Sequence, residues 1–205
     1  MNIILNSYCN LKCNYCFADE YMEENVKTPD KSMDYDFFLE DLLPRILLAA
    51  ELLGDSKCDV TVLQCTGTSM SGGIEKEKEV ISAIERVTGK PAASTASSLM
   101  DAFDALGVKR IVFISETLQE GHDKKMAFLK EAGLEIVSDK AMGLAGSDVY
   151  CSTPSSYWYE NVKALHNDKT EAYFVSCANI HSINIIEDLE DVLDRPVITS
   201  NQAAL

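Results

Sequence analysis

From residue 59 onward, short apolar runs alternate with amphipathic stretches, and this alternation constrains the fold more than any other feature of the chain. Runs such as Asp-Val-Thr-Val-Leu-Gln at 59–64, Lys-Arg-Ile-Val-Phe-Ile-Ser at 109–115 and Ala-Tyr-Phe-Val-Ser at 172–176 have the length and apolar content of buried strands. Shorter strands are expected at 2–6, 91–94, 134–138 and 196–199. Between them, helices are expected near 74–88, 97–106, 119–132, 154–166 and 182–193, several of them closed by glycine. An earlier helix over 37–53 places Leu42, Leu43, Ile46, Leu47, Ala50 and Leu53 at helical spacing, with Pro44 either opening or kinking it. Strands alternating with helices in this way predict an α/β fold, with parallel strands covered on both faces.

A chain of 205 residues can bury one core or two small ones. No apolar run is as long as a membrane span, and the N-terminus lacks the basic and apolar segments of a signal peptide. A cytoplasmic protein without a membrane partner is therefore expected. The net charge of −15, from 18 basic and 33 acidic residues, argues against nucleic acid as a partner, since phosphate binding needs clustered Lys and Arg. The seven cysteines are odd in number, which argues against a disulfide framework and directs attention to thiol chemistry.

Two cysteines occupy matching places. Cys65 follows the strand ending at Gln64 and opens Cys-Thr-Gly-Thr-Ser; Cys177 follows the strand ending at Ser176 and opens Cys-Ala-Asn-Ile-His-Ser. In parallel α/β sheets ligands bind beyond the carboxyl ends of the strands, where both cysteines are expected. Each precedes a helix whose N-terminal amides would favour a thiolate. Thr66, Ser69, Asn179 and Ser182 add donors for an anion. If these two thiols face each other, a small dicarboxylate could lie between them.

These runs resemble the aspartate/glutamate racemase superfamily, in particular its maleate cis-trans isomerase and arylmalonate decarboxylase branch. Besides the two cysteine runs, the resemblance rests on Gly-Lys-Pro-Ala-Ala-Ser-Thr at 89–95, Ala-Leu-Gly-Val-Lys-Arg-Ile at 105–111 and Pro-Val-Ile-Thr-Ser-Asn-Gln-Ala at 196–203, in family order over about residues 37–205. It implies two pseudo-symmetric Rossmann-like lobes with the site between them: 39–92 plus about 196–205 as the first lobe, 93–195 as the second. It further implies a homo-oligomer, a small anionic substrate and no cofactor. Cys65 and Cys177 would be the catalytic pair, with Cys65 the nucleophile; Thr66 and Ser69 would hold one carboxylate, Asn179 the other, with Asn201 nearby. Where the family often has Thr-Pro-Tyr, this chain has Ser115-Glu116-Thr117, which removes a substrate-contacting tyrosine and brings in a negative charge.

Residues 1–38 resemble something else. Cys9, Cys13 and Cys16 form a C-x3-C-x2-C run with Tyr15 before the last cysteine, similar to the cluster loop of radical S-adenosylmethionine enzymes. Such a loop implies a [4Fe-4S] cluster, with S-adenosylmethionine at the open iron. Three readings follow: a cofactor-independent isomerase or racemase using Cys65 and Cys177, a radical-enzyme fragment, and an inactive hybrid of the racemase-like fold.

Overall fold

The computed structural model describes residues 3–5 and 35–205. It is an α/β fold built on two parallel sheets. The first sheet has the order β1 (Ile3–Leu5), β2 (Thr61–Leu63), β3 (Ala92–Ser94). Helix α1 (Tyr35–Asp55) and helix α3 (Gly73–Thr88) pack together against it, and Ile46, Ala50, Leu63, Val80 and Ile84 form its core. Pro44 lies inside α1 rather than at its start. The short helix α2 (Thr66–Met70) connects β2 to α3 through Gly72 and Gly73, both at positive φ (84° and 81°). A side chain would be strained at either position, so the paired glycines permit this tight turn.

The second sheet runs β5 (Glu135–Ala141), β4 (Arg110–Ser115), β6 (Ala172–Val175), β7 (Val197–Thr199), all parallel. One face is covered by α4 (Thr95–Leu106) and α5 (Gln119–Glu131), through Leu99, Phe103, Phe113, Phe128 and Phe174. The other is covered by α7 (Ser155–Ala164) and α8 (Ile186–Leu193), through Val112, Trp158, Tyr173, Val175 and Leu189. Burial on both faces explains why these strands read as continuous apolar runs. Helix α4 starts with a capping box: the Ser94 hydroxyl accepts the Ser97 amide and the Ser97 hydroxyl accepts the Ser94 amide. The remaining elements are α6 (Ser147–Ser152), a 3-10 turn at Ile183–Ile185 and α9 (Ser200–Ala203). No helix among the described residues is long and apolar enough to cross a membrane.

One expectation about the lobes is corrected by the pairing. Residues 196–205 were expected to close the first lobe, but β7 pairs with β6 and so extends the second sheet. A three-residue strand, Val-Ile-Thr, fits the edge of either sheet by pattern alone; its neighbours in space decide. Strand β3, at 92–94, belongs to the first sheet, so the boundary falls after Ser94 rather than before residue 93.

Candidate active site

In the second sheet the chain leaves β4 toward β5 on one side and leaves the neighbouring β6 toward β7 on the other, so these two connections diverge. A crevice at the carboxyl ends of such strands is the usual ligand site of an open parallel sheet. Ser115–Thr117 after β4 and Ser176–Cys177 after β6 flank this point, and the ends of β2 and β7 meet it from the first sheet and the sheet edge.

Ser200 joins these ends. Its hydroxyl oxygen accepts from Thr66 Oγ1 at 2.8 Å and from the Cys177 amide at 3.1 Å. Gln64 donates through Nε2 to the Ser200 carbonyl (3.4 Å) and to Asn201 Oδ1 (3.2 Å), while Thr95 Oγ1 donates to Gln64 Oε1 (3.4 Å). The corner that carries Cys65 and the corner that carries Cys177 are thus bonded through one buried hydroxyl. The two thiols are close enough that a charge on Cys65 pushes the Cys177 thiol up.

Their environments differ. Cys65 is half-buried, has extended backbone and is the N-cap of α2. Cys177 is 6% exposed and has a φ of 104°, a backbone angle that costs a non-glycine residue about 1–3 kcal/mol. Its sulfur accepts the Asn179 amide at 3.3 Å. Burial first, then the Glu116 carboxylate, push its thiol well above the ordinary range; Lys125 and the Asn179 amide oppose them. The expectation that a helix N-terminus favours a thiolate here is corrected, because α8 begins only at Ile186, beyond the 3-10 turn.

The expected anion-binding residues are divided. Thr66, Asn179 and Asn201 lie at the seam, but the Thr66 hydroxyl is engaged by Ser200. Asn201 accepts from Gln64 through Oδ1, so its amide nitrogen is the donor end that remains. Ser69 donates to the Thr66 carbonyl (3.2 Å) and lines a narrow pocket behind α2, together with Glu77 and Ser94. Neither cysteine lines that pocket, and its buried carboxylate opposes an anionic occupant. Ser182 is buried beside the 3-10 turn. His181 is exposed, and its Nε2 lies 2.8 Å from the Cys151 carbonyl at the end of α6. Cys9, Cys13 and Cys16 lie outside the described residues. Among the described residues no group of three or more His, Cys, Asp or Glu is placed to hold a metal ion.

Several polar residues escaped the sequence reading. Ser200 follows β7 as Cys65 and Cys177 nearly follow theirs, and that repeated position was the available signal. Lys125 on α5 donates to both oxygens of Glu116 (2.7 and 2.8 Å) and to Ser176 Oγ (3.3 Å). His122, one turn earlier, meets Ser115 Oγ at 2.7 Å through Nδ1 and Asp139 Oδ2 at 3.0 Å through Nε2. This has the connectivity of a hydrolase triad, but Ser115 is 0% exposed and Phe113 stacks on the imidazole at 4.7 Å. A substrate cannot reach that hydroxyl; the chain of bonds ties β4, β5 and α5 together.

A family model described as arylmalonate decarboxylase matches residues 31–205. The chain is 22% identical to the arylmalonate decarboxylase of Bordetella bronchiseptica over 151 residues, 72% of this chain and 63% of that protein. It is 23% identical to the maleate isomerase of Nocardia farcinica (strain IFM 10152) over 157 residues, 74% of this chain and 62% of that protein. The chain thus spans less than two thirds of the length of either relative. A solved structure of the Nocardia farcinica maleate cis-trans isomerase, a cysteine-to-serine mutant with a covalently bound succinylcysteine intermediate, superposes with a TM-score of 0.77 at 20% identity, over 80% of this chain and 70% of that one.

Proposed function

Because this chain belongs to the arylmalonate decarboxylase family, we propose that it is a cofactor-independent enzyme of the isomerase or decarboxylase type, working with Cys65 and Cys177 on a small dicarboxylate. The observation that carries this reading is the Ser200 hydroxyl, which holds the two cysteine corners at one seam. Maleate-to-fumarate isomerisation is the first reaction to test. The Cys65 thiolate adds to one alkene carbon and forms a C–S bond. The displaced π pair takes the proton of the Cys177 thiol at the neighbouring carbon. The central bond, now single, rotates. Cys177 takes the proton back, the C–S pair leaves with Cys65, and the trans alkene forms. Every atom and electron returns to its place, so the reaction needs no external oxidant or reductant. Burial supports these roles: the enclosed Cys177 suits a proton donor, and the more accessible Cys65 suits the attacking group. Asn179, Asn201 and Thr66 would meet the carboxylates. Thr66 would have to release Ser200 to do so.

The family match over 31–205 and the two open parallel sheets favour this reading over a radical enzyme, whose barrel would need the same residues. Incubation with maleate, followed by proton NMR, should yield fumarate. Cys177→Ser should lower turnover by about 10²–10⁴-fold, the usual contribution of a general acid–base group. Cys65→Ser should abolish formation of a succinyl adduct seen by intact mass. Unchanged turnover in both variants would sink the two-cysteine reading. Carbon dioxide release from an arylmalonate, with no fumarate from maleate, would place the reaction in the decarboxylase class.

A further inference from the structure

The mechanism above leaves a buried ion pair unused. Lys125 is 2% exposed and Glu116 5% exposed. Burial of this kind gives little net stability, because desolvation of the two ions offsets their attraction. The pair is, however, built onto Cys177. The Lys125 ammonium has three protons to donate, and its three recorded acceptors are both Glu116 oxygens and Ser176 Oγ. Ser176 also donates its amide to the Ile114 carbonyl at 2.9 Å. The residue before the strained corner is therefore fixed by side chain and backbone, while Ser200 fixes the Cys177 amide.

We propose that the Glu116–Lys125 pair is a positioning device for Cys177: Lys125 fixes Ser176, and with it the positive-φ corner, and through the same ammonium holds the Glu116 carboxylate at that corner, so that Cys177 serves as proton donor and not as the attacking thiolate. This rests on the reading that Cys177 takes part in proton transfer. The charged and titratable groups acting on the sulfur are Glu116 from the end of β4, Lys125 from α5 and Cys65 from the β2–α2 corner. Helices α7 and α8 contribute apolar side chains to the same cluster, Trp158, Val162, Leu189 and Leu193. His181, on the same loop, is turned to the Cys151 carbonyl. Of the two partners of the pair, Glu116 acts more strongly on the thiol than Lys125, in the direction that keeps the proton on.

The test is the pH dependence of Cys177 alkylation by iodoacetamide, read at that residue by peptide mass mapping in a Cys65→Ser background. Glu116→Gln keeps an acceptor for Lys125 and leaves a cation beside the sulfur. It should lower the alkylation midpoint by at least about one pH unit, the usual effect of a nearby charge. The double variant Glu116→Gln/Lys125→Met removes both charges, and its midpoint should fall between those of Glu116→Gln and the parent. A purely structural role would lower the double variant's midpoint at least as far as that of Glu116→Gln, in step with their melting temperatures. Midpoints equal to the parent's in both folded variants would overturn the inference. The alkylation profile needs no substrate, so it stands apart from the functional reading. Full turnover in Cys177→Ser would end that reading, whereas an unmoved midpoint alongside an inactive Cys177→Ser would end only the inference.

Discussion

Cys177 carries both a strained backbone and a buried, proton-bearing sulfur, and the second makes a statement about pH. Its thiol is held above the ordinary range by burial first and by Glu116 next. The unfolded chain releases that proton near pH 8.5, to within about a unit. Below this value both states keep it, and stability does not depend on the group. Above it the native state still holds the proton while the unfolded state has lost it, so stability falls as pH rises toward the folded value. Urea unfolding from neutral pH into the alkaline range should therefore show a steeper loss for the parent than for Cys177→Ser; parallel losses would mean that the thiol is not held up. The placement of Cys65 and Cys177 at strand ends was legible because each comes just beyond an apolar run that forms a strand. Lys125 was not legible, because it reaches Glu116 across a strand-to-helix turn, a separation with no periodic signature. The strained angle at Cys177 was hidden for another reason: nothing in Val-Ser-Cys-Ala-Asn marks a positive φ.

Most elements of the fold could be read from the sequence, because burial on both faces makes strands apolar and burial on one face gives helices their stripe. Strand β4 and helices α3 and α5 fall within a residue or two of expectation. The failures have two causes. Helices α2, α6 and α9 are too short to show a period. Strand β5 runs on to Ala141, past its expected end at Ser138, because its later residues include Asp139 and Lys140, polar side chains that an edge strand tolerates. The entrances to β4 and β6 are joined by an element-scale contact: the Glu171 carboxylate accepts the Lys109 and Arg110 amides at 2.7 and 2.8 Å and pairs with the Arg110 guanidinium at 2.7 Å. The two amides hold its carboxyl below the ordinary range. Such a group supports the fold above the unfolded carboxylate value and loses that support as pH falls through the folded one. Glu171→Gln should be less stable than the parent at neutral pH, with the gap closing in acid. A gap that persists unchanged into acid would show that the charge contributes nothing.

At the scale of the molecule, Ser200 is one of the polar residues through which the two sheets meet. Ser200→Ala would leave Thr66 Oγ1 and the Cys177 amide buried without their partner, which should cost about 1–3 kcal/mol in urea unfolding. A loss below about 0.5 kcal/mol, the range of ordinary surface changes, would mean that the two corners are held together by other contacts. Which sheet receives β7 could not be read from three residues, yet that choice brings the serine after it to the seam. The backbone at Cys177, with its φ of 104°, has a consequence for the history of such a protein. Only glycine enters that region without penalty. Mutation pressure filtered by heat resistance alone would therefore lean toward erasing the sulfur, and on the role proposed above for Cys177 a thermostability screen run without a turnover assay would enrich robust proteins that have lost turnover. On that proposed role, the thiol persists there only as long as its chemistry is being selected.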